Sequence, residues 1–347
     1  MTHDSEPTVL VTGGAGYIGA HTAKALRESG YLPVVFDNLS SGFREAVRWG
    51  PLVHGDIRDS SALRAVIDSH QITAVIHFAG LIEVGRSNQL PDHFWDCNVT
   101  GTTSLLTAMQ QCGVPRLVFS SSAAVYGHSG RGALDAIVED AVKAPVSPYG
   151  DTKFAAELMI AAQCRAYGMT GVALRYFNAA GADPSGVIGE AHDPETHLIP
   201  LAIAAGLGDG KPLTVFGDDF DTPDGTCLRD YVHVADLATA HVAALRASIE
   251  VGSFEPVNVG AGVGQSVYDV VRAVSTALGR DVPFSVGARR AGDPPSLVAD
   301  TSRAHALLGW VPKSSSLDQI VADALRWERN PAYGTGVRSD RRRQEHP

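Results

Sequence analysis

Apolar residues follow two rhythms along the first half of the chain. Compact runs at 8–12, 32–36, 74–78, 116–120 and 170–175 are apolar at consecutive positions and rich in Val, Ile, Leu and Phe. That is the pattern of strands buried on both faces of a parallel sheet. Between them apolar residues recur at helical spacing, as in Ile18-Ala20…Ala23…Leu26 before Gly30, and in Leu63…Val66-Ile67. Strand and helix alternating in this way predict an α/β fold built on a doubly wound parallel sheet.

Beyond about residue 180 the texture changes. Stretches 181–189 and 217–225 are rich in Gly, Asp and Pro and read as loops, while apolar stretches persist at 198–207, 232–245, 267–278 and 317–327. A smaller, mainly helical unit is expected over the carboxyl edges of the sheet, the side on which open α/β sheets bind ligands. The expected organisation is 1–180 for the sheet, 181–330 for the second unit, with loops of the two interleaving, and 331–347 as a polar, flexible tail. Arg341-Arg342-Arg343 in that tail reads as a solvated, frayed end rather than a polyanion patch.

Bulk composition narrows the function classes. With 44% hydrophobic and 19% charged residues the chain can bury a large core, and a net charge of −10 argues against a general nucleic-acid or membrane surface. Cys97, Cys112, Cys164 and Cys227 are scattered without a C-x-x-C pair, so neither a disulfide framework nor a zinc ribbon fits, and a reducing cytoplasm is expected. The first seven residues are polar and acidic, unlike a signal peptide, and no apolar run approaches the ~18 residues of a membrane span.

The first expected strand runs straight into Gly13-Gly14-Ala15-Gly16-Tyr17-Ile18-Gly19, which opens a helix. Gly13, Gly16 and Gly19 make a G-x-x-G-x-x-G variant of the dinucleotide fingerprint, whose glycines let a pyrophosphate approach main-chain N–H groups at a helix start. Asp37 stands at the end of the next strand, 18 residues beyond Gly19. A carboxylate there accepts from an adenosine ribose and repels a 2′-phosphate, which favours NAD over NADP. No Lys-Ser/Thr follows the glycines, so the turn is not a nucleotide-triphosphate loop.

A second constellation lies in Ser147-Pro148-Tyr149-Gly150-Asp151-Thr152-Lys153. Ser147 and Pro148 are helix-start residues, placing Tyr149 and Lys153 at i and i+4 on one face. A phenol ionises near pH ~10, and a neighbouring ammonium, a cationic nicotinamide and a helix N-terminus each favour phenolate. Tyr149 is therefore a candidate general base. Ser120-Ser121-Ser122, at the end of the fourth expected strand, offers a hydroxyl to the same crevice. Together the three residue types make a dehydrogenase set.

With these motifs in hand, the chain resembles the extended short-chain dehydrogenase/reductases and, among them, the UDP-glucose 4-epimerases. The resemblance runs from about residue 9 to about residue 310. It is carried by 12–19, Asp37-Asn38-Leu39, His77-Phe78-Ala79-Gly80, Val84-Gly85, 120–127, 147–153, Arg175-Tyr176-Phe177-Asn178, 225–233 and 289–293. It implies a Rossmann-type sheet and an NAD-dependent enzyme that interconverts UDP-glucose and UDP-galactose through transient oxidation at C4, the alternative being a 4-epimerase of another UDP-sugar, a UDP-N-acetylhexosamine or a UDP-pentose. By the same resemblance Tyr149 is the base, Ser122 hydrogen-bonds the reacting hydroxyl, and Lys153 holds the ribose. NAD contacts fall on Gly13, Gly16, Tyr17, Ile18, Asp37, Asn38, Asp56, Ile57, Phe78, Ala79, Gly80 and Asn98, with Phe177 beside the nicotinamide. Contacts to the UDP-hexose fall on Asn178, His197, Leu198, Phe216, Arg229, Arg290, Asp293 and Leu297, and a homodimer is expected. Two arginines suit a diphosphate, an aromatic face suits a uracil, and a carboxylate accepts from a hydroxyl.

Departures from the family pattern are local. Ile82 replaces a lysine that contacts NAD in some relatives, and His197 replaces an asparagine near UDP. His192 and His197 are spaced by five, which matches no common zinc motif, so they are expected to be loop histidines and no metal site is assigned. A nucleotide-sugar dehydratase would need an acid–base pair where this chain has Ala123-Ala124. A cofactor sensor that had lost the chemistry would lack Tyr149 or Lys153, and both are present.

Overall fold

The structure, a computed structural model, describes residues 6–127, 135–290 and 293–334. The expected tail from 335 onward, with its arginine run, and the first five residues lie outside that set. The chain runs β1 (Thr8–Thr12), α1 (Tyr17–Glu28), β2 (Leu32–Asp37), β3 (Leu52–His54), α2 (Ser60–Ser69) and β4 (Ala74–His77). Short helices α3 (Val84–Ser87) and α4 (Pro91–Phe94) follow, then a π-helical turn over Trp95–Thr100, α5 (Gly101–Cys112), β5 (Arg116–Ser122), α6 (Pro148–Tyr167) and β6 (Thr170–Tyr176). The second half adds β7 (Asn178–Ala180), α7 (Leu198–Leu207), β8 (Leu213–Phe216), β9 (Leu228–His233), α8 (Val234–Arg246) and β10 (Phe254–Val259). It closes with β11 (Gly264–Ser266), α9 (Val267–Leu278), β12 (Phe284–Gly287), β13 (Ser296–Leu297), α10 (Ser302–Leu308) and α11 (Leu317–Arg329).

Seven strands form one sheet in the order β10-β6-β5-β4-β1-β2-β3, and every pairing in it is parallel. All five strands expected from the apolar runs lie in it. The order reverses between β1 and β4, which makes a crevice at the carboxyl ends of the central strands. Alternate side chains of each strand face opposite ways. Leu10, Val34, Val75, Leu117 and Phe119 pack in one cluster with Leu63 of α2 and Leu105 of α5, while Val9, Val11, Ile76, Val118 and Val172 pack with Leu26 of α1 and Leu237 of α8. Burying each such side chain contributes about 1.5–3 kcal/mol, and truncating Leu117 to alanine is expected to cost about 2–5 kcal/mol.

Strands β3 and β10 were not legible in the apolar pattern. β3 is only three residues long, and β10 comes after the change of texture near residue 180. β10 nevertheless pairs with β6, and α8 packs on α1, so the two halves of the chain interleave in the large sheet. Helices α7, α9 and α11 share a separate core that includes Ile199, Ile203, Val270, Val274 and Ile320, while α10 packs on α8 and β10. Two small sheets accompany them: β11-β9-β13 with β7 also on β9, and the pair β12–β8. A sequence reading in terms of helices misses these strands, because most of them run for two to four residues. Among the described residues no helix is long and apolar enough to cross a membrane.

Candidate active site

The turn from β1 to α1 is built for close backbone approach. Gly13 has φ +71°, and a Cβ on it would lie 2.5 Å from the nitrogen of Ala79, in the loop after β4. Gly19 is just as confined, since a Cβ there would meet the Gly13 oxygen at 2.3 Å. Gly16 caps α1 in extended conformation and has no side chain to cap the first N–H groups of the helix. Tyr17 turns its ring towards His21 and His192 and donates its hydroxyl to the Gly181 oxygen at 2.6 Å, tying α1 to the second half of the chain. Ile18 packs into the core beneath.

Asp37 ends β2 and is nearly buried. One carboxylate oxygen accepts from the Ala15 nitrogen at 3.0 Å and the other from the Leu39 nitrogen at 2.8 Å, so the acid is locked to the glycine turn. Burial pushes its pKa up, and those two N–H groups oppose the shift. Asn38 donates to Asp56 at 3.2 Å, and two hydrogen bonds from the Arg58 guanidinium hold Asp56 well below the usual carboxylate range. Ile57 is buried against Gly101. Phe78 packs against His241 with ring centres 4.7 Å apart and ring planes tilted by 47°. Asn98, in the π-helical turn, accepts from the Leu81 nitrogen at 2.7 Å and donates to Thr152 at 3.1 Å, joining the Phe78-Ala79-Gly80 loop to α6. A tight glycine turn at a helix start, with an acid fixed at the next strand end, fits an NAD molecule in its donors and in its shape.

The Tyr149 and Lys153 pair lies where the sequence puts it. Ser147 caps α6, accepting from the Gly150 nitrogen at 3.2 Å, and Pro148 takes the first helical position. Lys153 is buried and donates to the Ser120 oxygen at 2.8 Å, with its ammonium 5.0 Å from the centre of the Phe119 ring. Ser122 ends β5 and hydrogen-bonds Tyr149. Electrostatics differ from the expectation in one respect. Burial pushes the Tyr149 phenol above its ordinary value, opposed by the Ser122 hydrogen bond. Burial pushes Lys153 down to about 8, against the opposing pull of Cys97 and Glu157. Desolvation outweighs the opposing contacts of both groups, so the protein's own surroundings do not favour phenolate.

A third group gathers around β9 and the loop before β13. Arg229 donates to the Pro294 oxygen at 3.0 Å and stands 3.6 Å from Asp293, which also accepts from Arg290 at 3.0 Å. The Arg290 guanidinium lies 4.9 Å from the centre of the exposed Phe216 ring. Asn178 of β7 donates to the Asp230 oxygen at 3.0 Å. Leu297 is opposite Arg229 in the β13–β9 pairing and packs on the same small cluster as Phe177 and Ala123.

His197 is held differently. It caps α7, of which Leu198 is the first residue, and its Nδ1 lies 2.7 Å from Glu190 and 2.9 Å from Glu195. His192 Nδ1 lies 2.9 Å from the same Glu190 oxygen. Burial disfavours charge on both partners, yet these bonds prevail: they push His197 up to about 10 and pull Glu190 below the usual carboxylate range. Among the described residues no hydrogen bond or ion pair joins His197 to Arg229, Arg290 or Asp293. Glu190 escaped the sequence reading, although E-x-H-x-x-E-x-H over 190–197 was a signal for such a cluster. Thr152, Glu157 and Arg175 also went unassigned; Glu157 is one further helical turn along the Tyr149 and Lys153 face.

Comparison with known proteins finds relatives over most of the chain. Residues 9–260 match the model of the NAD dependent epimerase/dehydratase family. The chain is 48% identical over 320 residues to the UDP-glucose 4-epimerase of Rhizobium leguminosarum bv. trifolii, covering 92% of this chain and 97% of that protein. The crystal structure of the Brucella ovis UDP-glucose 4-epimerase in complex with NAD superposes with a TM-score of 0.88 at 48% identity, covering 93% of this chain and 98% of that one. The Bifidobacterium longum UDP-glucose 4-epimerase in complex with NAD+ and UDP gives a TM-score of 0.88 at 36% identity, covering 94% of this chain and all of that one (100%).

Proposed function

The chain belongs to the NAD dependent epimerase/dehydratase family, and we infer that it is an enzyme that interconverts UDP-glucose and UDP-galactose with NAD as its cofactor. The observation that carries the reading is the grouping of half-buried Ser122 with buried Tyr149 and Lys153 on the ends of β5 and α6, beside the Gly13 turn. Relatives that share most of the chain and carry the same name support it. The chemistry that NAD supplies when bound is the temporary acceptance of a hydride from C4, with no net oxidation of the sugar. The sugar passes through a 4-keto form, and return of the hydride to its other face inverts the centre.

The chain's own residues are assigned to the remaining tasks. Ser122 accepts or donates at the reacting hydroxyl and holds it against Tyr149. Tyr149 takes the hydroxyl proton in one direction and gives it back in the other. Lys153, fixed by Ser120, engages the ribose and lends positive charge to the phenolate. The Gly13, Gly16, Tyr17 and Ile18 turn holds the pyrophosphate, and Asp37 and Asn38 hold the adenosine ribose. Asp56, Ile57, Phe78, Ala79, Gly80, Asn98 and Phe177 line the remainder of the dinucleotide site. Arg229 and Arg290 clamp the diphosphate with charge-assisted hydrogen bonds. Phe216, Asp293, Asn178, His197 and Leu198 take the uridine side. With the nucleotide gripped, the hexose is free to turn and present either face. Residues up to about 180, joined in the sheet by β10, serve NAD, and the rest of 181–330 serves the UDP-sugar.

We propose further that the protein works in the cytoplasm as a homodimer. Its four cysteines are all unpaired, as a reducing compartment requires. Trp95 and Leu158 are exposed apolar side chains on packed neighbouring elements, the π-helical turn and α6, a surface that suits a second copy. Light scattering giving the mass of a single chain, 36.5 kDa, would contradict the dimer. The function is tested by incubating the protein with UDP-galactose and assaying for UDP-glucose. No product, in protein that retains NAD, would overturn it.

A further inference from the structure

We infer that Glu157 is a positioning residue for this reaction: through Ser121 and Arg175 it fixes where α6 stands against the ends of β5 and β6, and so sets the spacing of Tyr149 and Lys153 from Ser122. The inference rests on the activity proposed above. Tyr149, Lys153 and Glu157 follow one another at four-residue intervals on one face of α6, and all three are buried. Three consecutive serines at the end of β5 answer them. Ser122 hydrogen-bonds Tyr149, the Ser120 oxygen accepts from Lys153 at 2.8 Å, and Ser121 Oγ donates to Glu157 Oε1 at 2.5 Å.

Arg175, opposite Ser121 in the β5–β6 register, forks onto the same carboxylate, Nε to Oε1 at 2.9 Å and Nη2 to Oε2 at 2.6 Å. Its remaining nitrogen donates to the Tyr126 hydroxyl at 2.8 Å and to the Glu139 oxygen at 3.0 Å. Glu157 and Arg175 are each 2% exposed. A buried ion pair gives little stability over apolar residues of the same volume, because desolvation offsets the attraction. What it does give is a fork of fixed geometry, and here that fork joins one helix to two strand ends. Without it the serine that holds the sugar hydroxyl and the tyrosine that takes its proton are no longer held at one spacing. A misplacement of about 1 Å costs on the order of 100-fold in rate.

Glu157→Gln, Glu157→Asp and Ser121→Ala test this, each assayed for kcat, KM, UDP affinity, retained NAD and the pH profile. Glu157→Gln is expected to keep NAD and UDP affinity and KM, while kcat falls by about 10-fold or more. Glu157→Asp, which keeps the charge, is expected to recover part of that loss. The titratable groups facing Lys153 are Tyr149 and Glu157 on its own helix, His77 on β4 and Cys97 in the π-helical turn. Removing the Glu157 charge therefore moves the alkaline limb of activity to lower pH, which a purely structural role would not do. An unchanged kcat, or a loss that only tracks lost NAD or UDP binding with no pH shift, would overturn the inference. Should Glu157→Gln fail to fold, Ser121→Ala decides, since it leaves the ion pair intact: reduced kcat at unchanged KM supports positioning and unchanged kcat refutes it. An unsubstituted protein that failed to interconvert the sugars would instead sink the proposed function.

Discussion

The ammonium of Lys153 stands 5.9 Å from the centre of the Tyr149 ring. Both groups are buried, and burial acts on them in opposite directions, raising the phenol and bringing the ammonium down to about 8. Lys153 must keep its proton to favour phenolate, so kcat/KM is expected to fall as pH rises through about 8. Lys153→Met is expected to abolish that descending limb and lower kcat by about 100-fold, the ordinary size of an acid–base contribution. A full pH profile of both proteins checks it, and an unaltered limb would refute the role of Lys153.

Asp37 selects the cofactor in this account. Its carboxylate is fixed by the Ala15 and Leu39 nitrogens beside the glycine turn, where a 2′-phosphate would meet negative charge. Denaturing the purified protein and identifying the released dinucleotide by mass should find NAD(H) with little NADP(H). A majority of NADP(H) would contradict the assignment.

Much of this site was legible because its chemistry is local in sequence. Gly13, Gly16 and Gly19 with Asp37 form one β–α–β unit, and Tyr149 with Lys153 needs only the 3.6-residue helical period. Glu157 was out of reach for a physical reason: its partners Ser121 and Arg175 are brought together by strand register. Strand β10 was hidden in the same way, since it enters the sheet from beyond the second unit's first helices. Arg229, Arg290 and Asp293 are assigned through family resemblance alone; spacing by itself leaves two arginines on a surface.

Arg290 touches Asp293 and overlies Phe216 while remaining 59% exposed along its side chain. Its ion pair is open to solvent and adds little stability, which leaves it free for a ligand. Arg290→Ala is expected to weaken UDP binding by about 10- to 100-fold, the loss of one charge-assisted contact of about 1.5–3 kcal/mol. NAD content should be unchanged. UDP titration calorimetry decides this, and an unaltered affinity would remove Arg290 from the site.

Leu297, assigned to the UDP-hexose by family resemblance, is expected to limit the size of the sugar. It packs in the cluster that includes Phe177 and Ala123, next to Ser122 in sequence, so a bulkier sugar substituent must push it aside. Overpacking of that kind costs about 1–3 kcal/mol. UDP-N-acetylglucosamine should therefore be a poor substrate, and Leu297→Ser should improve it by about 10-fold relative to UDP-glucose. An unchanged ratio of the two kcat/KM values would show that Leu297 only joins loops.

The central claim is that Tyr149 moves the proton during C4 inversion of a UDP-hexose. Interconversion of UDP-galactose and UDP-glucose, measured side by side in the unsubstituted protein and in Tyr149→Phe with UDP affinity as the control, tests it most directly. A proton carrier acts on the transition state and barely on ground-state binding. The unsubstituted protein should form UDP-glucose from UDP-galactose, and the phenylalanine variant should lose at least about 100-fold in kcat while binding UDP as before. Turnover in the variant close to that of the parent would contradict the account.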